Sequence, residues 1–132
     1  MHLKEERGQA MVEFALILPI LILILCAIMD FGWIFFNKIL VSNAAREAAR
    51  YTAIHINDNS AFDSADTEAA RTAALASSPA LPDTLTVSVL YTDSTVTVTV
   101  SSPTQVLTGL TSTFFGGSTV NLTASSSMRA EE

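Results

Sequence analysis

Phe14-Ala-Leu-Ile-Leu-Pro19-Ile-Leu-Ile-Leu-Ile-Leu-Cys26-Ala-Ile-Met-Asp30-Phe-Gly-Trp33-Ile-Phe-Phe36 is the stretch that decides the fold. From Phe14 to Met29 it holds 16 uncharged, mostly aliphatic residues, and if Asp30 is tolerated the run reaches Phe36 and 23 residues. At ~1.5 Å per residue such a helix is about 35 Å long, enough for a hydrocarbon core of ~30 Å. One membrane-spanning helix follows, with Phe31, Trp33, Phe35 and Phe36 as an aromatic cluster at its far interface. The end of the block, Leu25-Cys26-Ala27-Ile28-Met29-Asp30, has no small-x-small pair for signal cleavage, and Leu23-Ile24-Leu25 is not a lipoprotein context for Cys26. The block is therefore expected to stay on the chain. Pro19 removes one hydrogen bond and predicts a bend, read as a tolerated kink ahead of a functional hinge.

Two charged positions need a reason. Glu13 stands one residue before the apolar run, and an ionised carboxylate at the centre of a membrane helix costs about 2.5–3.5 kcal/mol on insertion scales. Taken alone, it suits the positive end of the helix dipole. Asp30 comes about 24 Å beyond Phe14, roughly 100° around the helix from Glu13. Solvation among the outer headgroups is the favoured reading for it, ahead of a packing contact with a partner protein. The count of basic residues, Lys4 and Arg7 before the helix against Lys38, Arg46 and Arg50 after it, by itself favours the opposite orientation to the one adopted below.

Beyond the membrane block, Asn37 to Ala53 has no Gly or Pro and predicts an uninterrupted continuation of the helix. Val41, Ala44, Ala45, Ala48 and Thr52 fall on one narrow face of small residues, suited to the protein's own sheet first and to a neighbouring subunit second. Arg46 and Arg50 share a different face, with Glu47 pointing elsewhere. Ile54 to Phe62 reads as a loop, with Asp63-Ser64 as N-cap candidates for an alanine-rich helix from Ala65 to about Ser77. Ser78-Pro79-Ala80-Leu81-Pro82 breaks the chain.

Alternation then takes over. Leu85, Val87, Val89 and Tyr91, then Val96, Val98 and Val100, alternate with polar residues across Thr92-Asp93-Ser94, predicting a hairpin that Pro103 ends. Leu107, Leu110, Phe114 and Phe115 form a short helix or a packed loop, and Gly116-Gly117 turns into a third run, Val120, Leu122, Ala124. The fold class is α+β: a long N-terminal transmembrane helix continuing into a small extramembrane domain with a short helix and a three-stranded antiparallel sheet. A sheet this small should pack on the alanine-rich helix.

Inventory excludes several functions. Residues 51–132 carry Arg71 and Arg129 against eight acidic residues, a balance of −6 that opposes nucleic-acid binding. One cysteine allows neither an intrachain disulfide nor a cysteine metal site. With His2 and His55 as the only histidines, and no glycine-rich phosphate loop, no catalytic motif supports an enzyme and no cofactor is expected. Asn121-Leu122-Thr123 matches a glycosylation pattern at the level of chance for a Thr-rich strand, and Asp58, Asp63 and Asp66 fit no calcium loop.

The block Gly8-Gln9-Ala10-Met11-Val12-Glu13-Phe14 resembles the processing site of type IV pilin-like precursors. With Leu18-Pro19, Asp30-Phe31-Gly32 and Asn43-Ala-Ala-Arg-Glu-Ala-Ala-Arg-Tyr51, the first 50 or so residues resemble the TadE-like family of the tight-adherence (Flp) pilus systems of bacteria. Leu122 to Arg129 is also similar to the ends of such proteins, and the acidic pair Glu5-Glu6 departs from their more basic leaders. The resemblance implies a leader of residues 1–8, a transmembrane and extended helix over 9–53 that includes Phe14, Pro19, Asp30, Trp33 and Phe36, and an extracytoplasmic domain over 54–132. It implies cleavage between Gly8 and Gln9 by a prepilin peptidase, with Glu13 and Phe14 as the fifth and sixth mature residues. It further implies a docking pair between the new α-amino group of Gln9 and Glu13 of a neighbouring subunit. Because the peptidase works at the cytoplasmic face, the N-terminus is placed in the cytoplasm and the helix in the cytoplasmic membrane. The implied role is that of a minor pseudopilin in contact with other pilins and the assembly platform. A signal-anchored surface protein with a ligand-binding sheet, and a structural pilin subunit, are the alternatives.

Overall fold

The computed structural model describes residues 3–55, 64–92, 94–109, 112 and 116–129, with side chains from Gly8 onward. Its order is α1 (Leu3–His55), α2 (Ser64–Ser77), β1 (Thr86–Thr92), β2 (Thr95–Gln105) and β3 (Thr119–Arg129), the α+β layout expected from the sequence. The apolar block and the alanine-rich stretch form one helix of 53 residues that runs through Pro19 unbroken. It is one helix by two different physical means. Every residue from Gln9 to Leu25 is exposed, so no protein packing supports that half. From Asp30 onward one stripe is buried: Asp30, Asn37, Val41, Ala44, Ala45, Ala48, Ala49, Thr52 and Ala53, with Ile34 and Leu40 packed at its margin. Steps of three and four residues keep this stripe on one face.

The small-residue face receives the protein's own domain. The sheet lies across α1 in the order β1-β2-β3, antiparallel throughout, with Val87 opposite Val100 and Val100 opposite Ala124, Val89 opposite Val98 and Val98 opposite Ser126. On β2, Val96, Val98, Val100, Ser102 and Thr104 are all buried, while the alternate Thr95, Thr97, Thr99 and Ser101 face outward. That outer face is tied by hydroxyl pairs, Thr97 to Ser127 at 2.8 Å and Ser101 to Thr123 at 2.5 Å. Helix α2 closes the remaining side with Ala70 and Ala74, both fully buried. Alanine at these positions lets the helix axes and the sheet approach closely, because no side chain beyond Cβ holds them apart.

Four expectations need correcting. Ile54 and His55 are helical, not loop. Pro103 does not end β2, which continues to Gln105 with Pro103 opposite Asn121. Pairing with β1 reaches no further along β2 than Ser101, so beyond it the strand has a neighbour on one side only, and a residue lacking an N–H is tolerated on such an edge. Glu47 reaches Arg50 at 4.0 Å, although both side chains are exposed and such a pair contributes little. Asp30 is the fourth, taken up below. The expected turn at Asp93, the cap at Asp63, and Leu110, Phe114 and Phe115 lie outside the described residues.

Candidate functional site: the exposed amino-terminal half of the long helix

Gly8, Gln9, Glu13 and Phe14 sit on α1 with no other element near them. A Cβ built on Gly8 would meet nothing within 4 Å. The fold of this chain therefore places no demand for glycine there; any such demand must come from another molecule. Gln9 Nε2 donates to Glu13 Oε1 at 3.3 Å, an i,i+4 contact on an exposed face. Phe14 is 62% exposed and Met11 76% exposed. Gly8, Glu13 and Phe14 lie within seven consecutive residues of α1 and point about 100–140° apart around it, so the structure does not gather them on one face.

The residues above are apolar on every side. Leu16, Ile17, Leu18, Ile20, Leu21, Ile22 and Leu23 are all exposed, and at ~100° per residue they go around the whole helix. An aqueous protein would have to hide such a surface. The described residues contain one helix long and apolar enough to cross a membrane, and none of its most apolar stretch is buried.

Asp30 marks where the domain begins. The expectation of a headgroup-solvated carboxylate is overturned: its side chain is 1% exposed. Oδ1 accepts the backbone N–H of Thr108 at 2.8 Å, and Oδ2 accepts the Thr108 hydroxyl. The offset from Glu13 places Asp30 on the same face as Ile34, Asn37 and Val41, where the domain covers α1. One turn later Trp33 Nε1 donates to the Gln105 carbonyl at 3.1 Å, and Asn37 Nδ2 donates to the Trp33 carbonyl at 2.9 Å. Lys38 Nζ donates to the Thr123 carbonyl. Sequence reasoning had no means of finding Thr108, since a threonine in a hydroxyl-rich segment carries no local mark of a carboxylate partner. Phe36 is half-exposed beside Trp33, with ring centroids 6.1 Å apart.

Residues 8–50 match the family model of the TadE-like proteins. Neither a curated protein nor a solved structure gives a match. The TadE-like segment covers 43 of 132 residues, from Gly8 through the exposed apolar stretch to Arg50 in the domain-covered half of α1. The sheet lies outside it. The likeness therefore falls on the helix that carries the Gly8–Phe14 stretch and on the alanine stripe.

Elsewhere the side chains offer little chemistry. An open groove of about 730 Å³ between α1 and α2 is lined by Glu47, Tyr51, Ala69, Thr72 and Ala73 among others. Two of its hydroxyls are turned to their own helix, Thr72 to the Glu68 carbonyl and Ser77 to the Ala74 carbonyl, each at 2.9 Å. His55 Nδ1 lies 2.8 Å from the Tyr51 carbonyl and its ring stacks on Tyr51. Among the described residues no three His, Cys, Asp or Glu side chains converge as a metal site would require.

Proposed function

We propose that this chain is a TadE-like minor pseudopilin that acts in assembling or priming a tight-adherence (Flp-type) pilus. It spans the cytoplasmic membrane once through α1, with residues 1–8 in the cytoplasm and the sheet domain outside. A prepilin peptidase cuts between Gly8 and Gln9. Other pilins and the assembly platform are its partners, and its work is recognition through the helix.

The observation that carries this reading is the Gly8–Phe14 stretch standing free on a membrane-length helix, within a segment similar to TadE-like proteins. Glu13 accepts from Gln9 and, among the described residues, has no partner from the domain, which leaves its carboxylate open to a neighbouring subunit. The new α-amino group on Gln9 is a cation of the right sign. Once such a pair is buried between subunits, removing one partner costs about 3–5 kcal/mol.

Intact-mass measurement from cells with and without the peptidase tests the reading. Loss of residues 1–8 only when the peptidase is present is the expected result. A chain retaining those residues in both strains is instead a signal-anchored surface protein. Quantifying the chain in sheared pili separates assembly factor from fibre subunit, because a structural pilin must dominate the fibre.

A further inference from the structure

We infer that the base of the domain at residues 106–109, just after β2, is seated in the extracytoplasmic leaflet of the bilayer rather than held above it. This rests on the reading of α1 as a membrane-spanning helix. A hydrocarbon core of ~30 Å takes up about 20 helical residues, so one that begins at Phe14 ends near Ile34. Asp30 then lies about 6 Å inside the boundary. A helix tilt moves it no shallower, since a tilted helix needs more residues to cross.

A carboxylate at that depth has to be satisfied by protein, because lipid offers it nothing. Thr108 supplies two donors to Asp30, and to do so it must be at the same depth. Leu107, the next residue along, is 57% exposed. The surrounding backbone suits a site poor in water. The Gln105 carbonyl accepts from Trp33, the Val106 N–H donates to the Ser118 carbonyl at 2.9 Å, and the Thr108 N–H is taken by Asp30. On the other sides of α1 at this level stand the exposed rings of Phe31, Phe35 and Phe36. Leu107 completes an apolar collar continuous with the uncovered helix below it. That continuity makes lipid, rather than a second copy of the chain, the occupant.

The test uses the full chain in proteoliposomes. With Cys26→Ser as background, Leu107→Cys or Leu90→Cys carries an environment-sensitive fluorophore, and lipids brominated in the upper acyl chain serve as quencher. Leu90 is exposed and pairs with Thr97, eight residues along β2 from Gln105, or about 26 Å from the base. The label at Leu107 should lose fluorescence in brominated lipid while that at Leu90 does not. Trp33, the single tryptophan, gives an unlabelled reference at the same level. Quenching of Trp33 with none at Leu107 overturns the seat and leaves the spanning helix standing. Cross-linking of Leu107→Cys to a second copy, without lipid quenching, also overturns it, in favour of a protein interface. Release of the whole chain by alkaline carbonate overturns the spanning reading and the seat together.

Discussion

Asp30 and Thr108 are 78 positions apart in the chain and are joined by two hydrogen bonds, with Asp30 almost completely buried. Removing the Thr108 hydroxyl takes one donor from the buried carboxylate, and removing the carboxylate takes an acceptor from the Thr108 N–H and hydroxyl; each loss costs about 1–3 kcal/mol. Thr108→Val and Asp30→Leu should each lower unfolding stability in detergent by that amount. The double variant should cost less than the sum, because both single variants lose the same hydroxyl–carboxylate bond. Strictly additive losses in a denaturant-unfolding cycle would show that the two residues do not act as a pair.

Gly8 should be silent in the fold and loud in processing. Its surroundings are empty, and exposed helix positions away from special features change stability by within about 0.5 kcal/mol. Gly8→Leu is therefore expected to keep the unfolding midpoint and helical circular dichroism while the precursor mass persists in cells with active peptidase. Normal trimming of this variant would remove Gly8 from the processing site.

Glu13→Gln separates the folding of one chain from docking between chains. Its neighbour within the chain is Gln9, at 3.3 Å on an exposed face, so the isolated protein should unfold as before. Recovery of pilin partners in pull-downs should fall by about two orders of magnitude or more, the equivalent of losing half of a buried ion pair. Equal recovery with glutamine would rule out the proposed pairing with an α-amino group.

Ala48 is fully buried in the cluster formed by α1, α2 and the sheet. Ala48→Leu forces extra methylenes into that contact and should destabilise by about 1–3 kcal/mol, read as a lower melting temperature of the detergent-solubilised protein. An unchanged melting temperature would mean that the sheet can stand off from α1.

Ser102 is fully buried on β2, and among the described residues its hydroxyl has no hydrogen-bond partner. Ser102→Ala removes an unsatisfied polar atom with almost no change in shape, so stability should hold or rise by about 1 kcal/mol. A clear loss in thermal unfolding would reveal a partner for that hydroxyl in the folded protein.

Local pattern made the long helix, the alanine face and the three strands readable. The helix shows in an unbroken apolar run followed by small residues three and four apart. The strands show in the Val-Thr alternation from Leu85 to Val100. What stayed hidden depends on neighbours distant in sequence. Ser102 and Thr104 continue the inward face of β2 in polar residues, so the hydrophobic signal stops at Val100 although the strand does not. Pro103 reads as a stop until one sees that β1 no longer pairs with β2 beyond Ser101. Asp30 reads as solvated because nothing near it in sequence shows that Thr108 returns to cover it. Residues 8–14 are contiguous and exposed, so the sequence pattern there stands without any fold to assemble it.

The continuity of α1 also has a mechanical consequence. No loop separates the stretch beginning at Gly8 from the stripe on which the sheet rests, since a single helix runs from Leu3 to His55 with Pro19 within it. A pull on the lower end of the helix reaches the domain as shear between α1 and the sheet. The contacts that resist first are those nearest the load: Asp30 on Thr108, Trp33 on Gln105 and Lys38 on Thr123. A force along the lower helix is therefore first borne at the lowest turn of the covered part of α1.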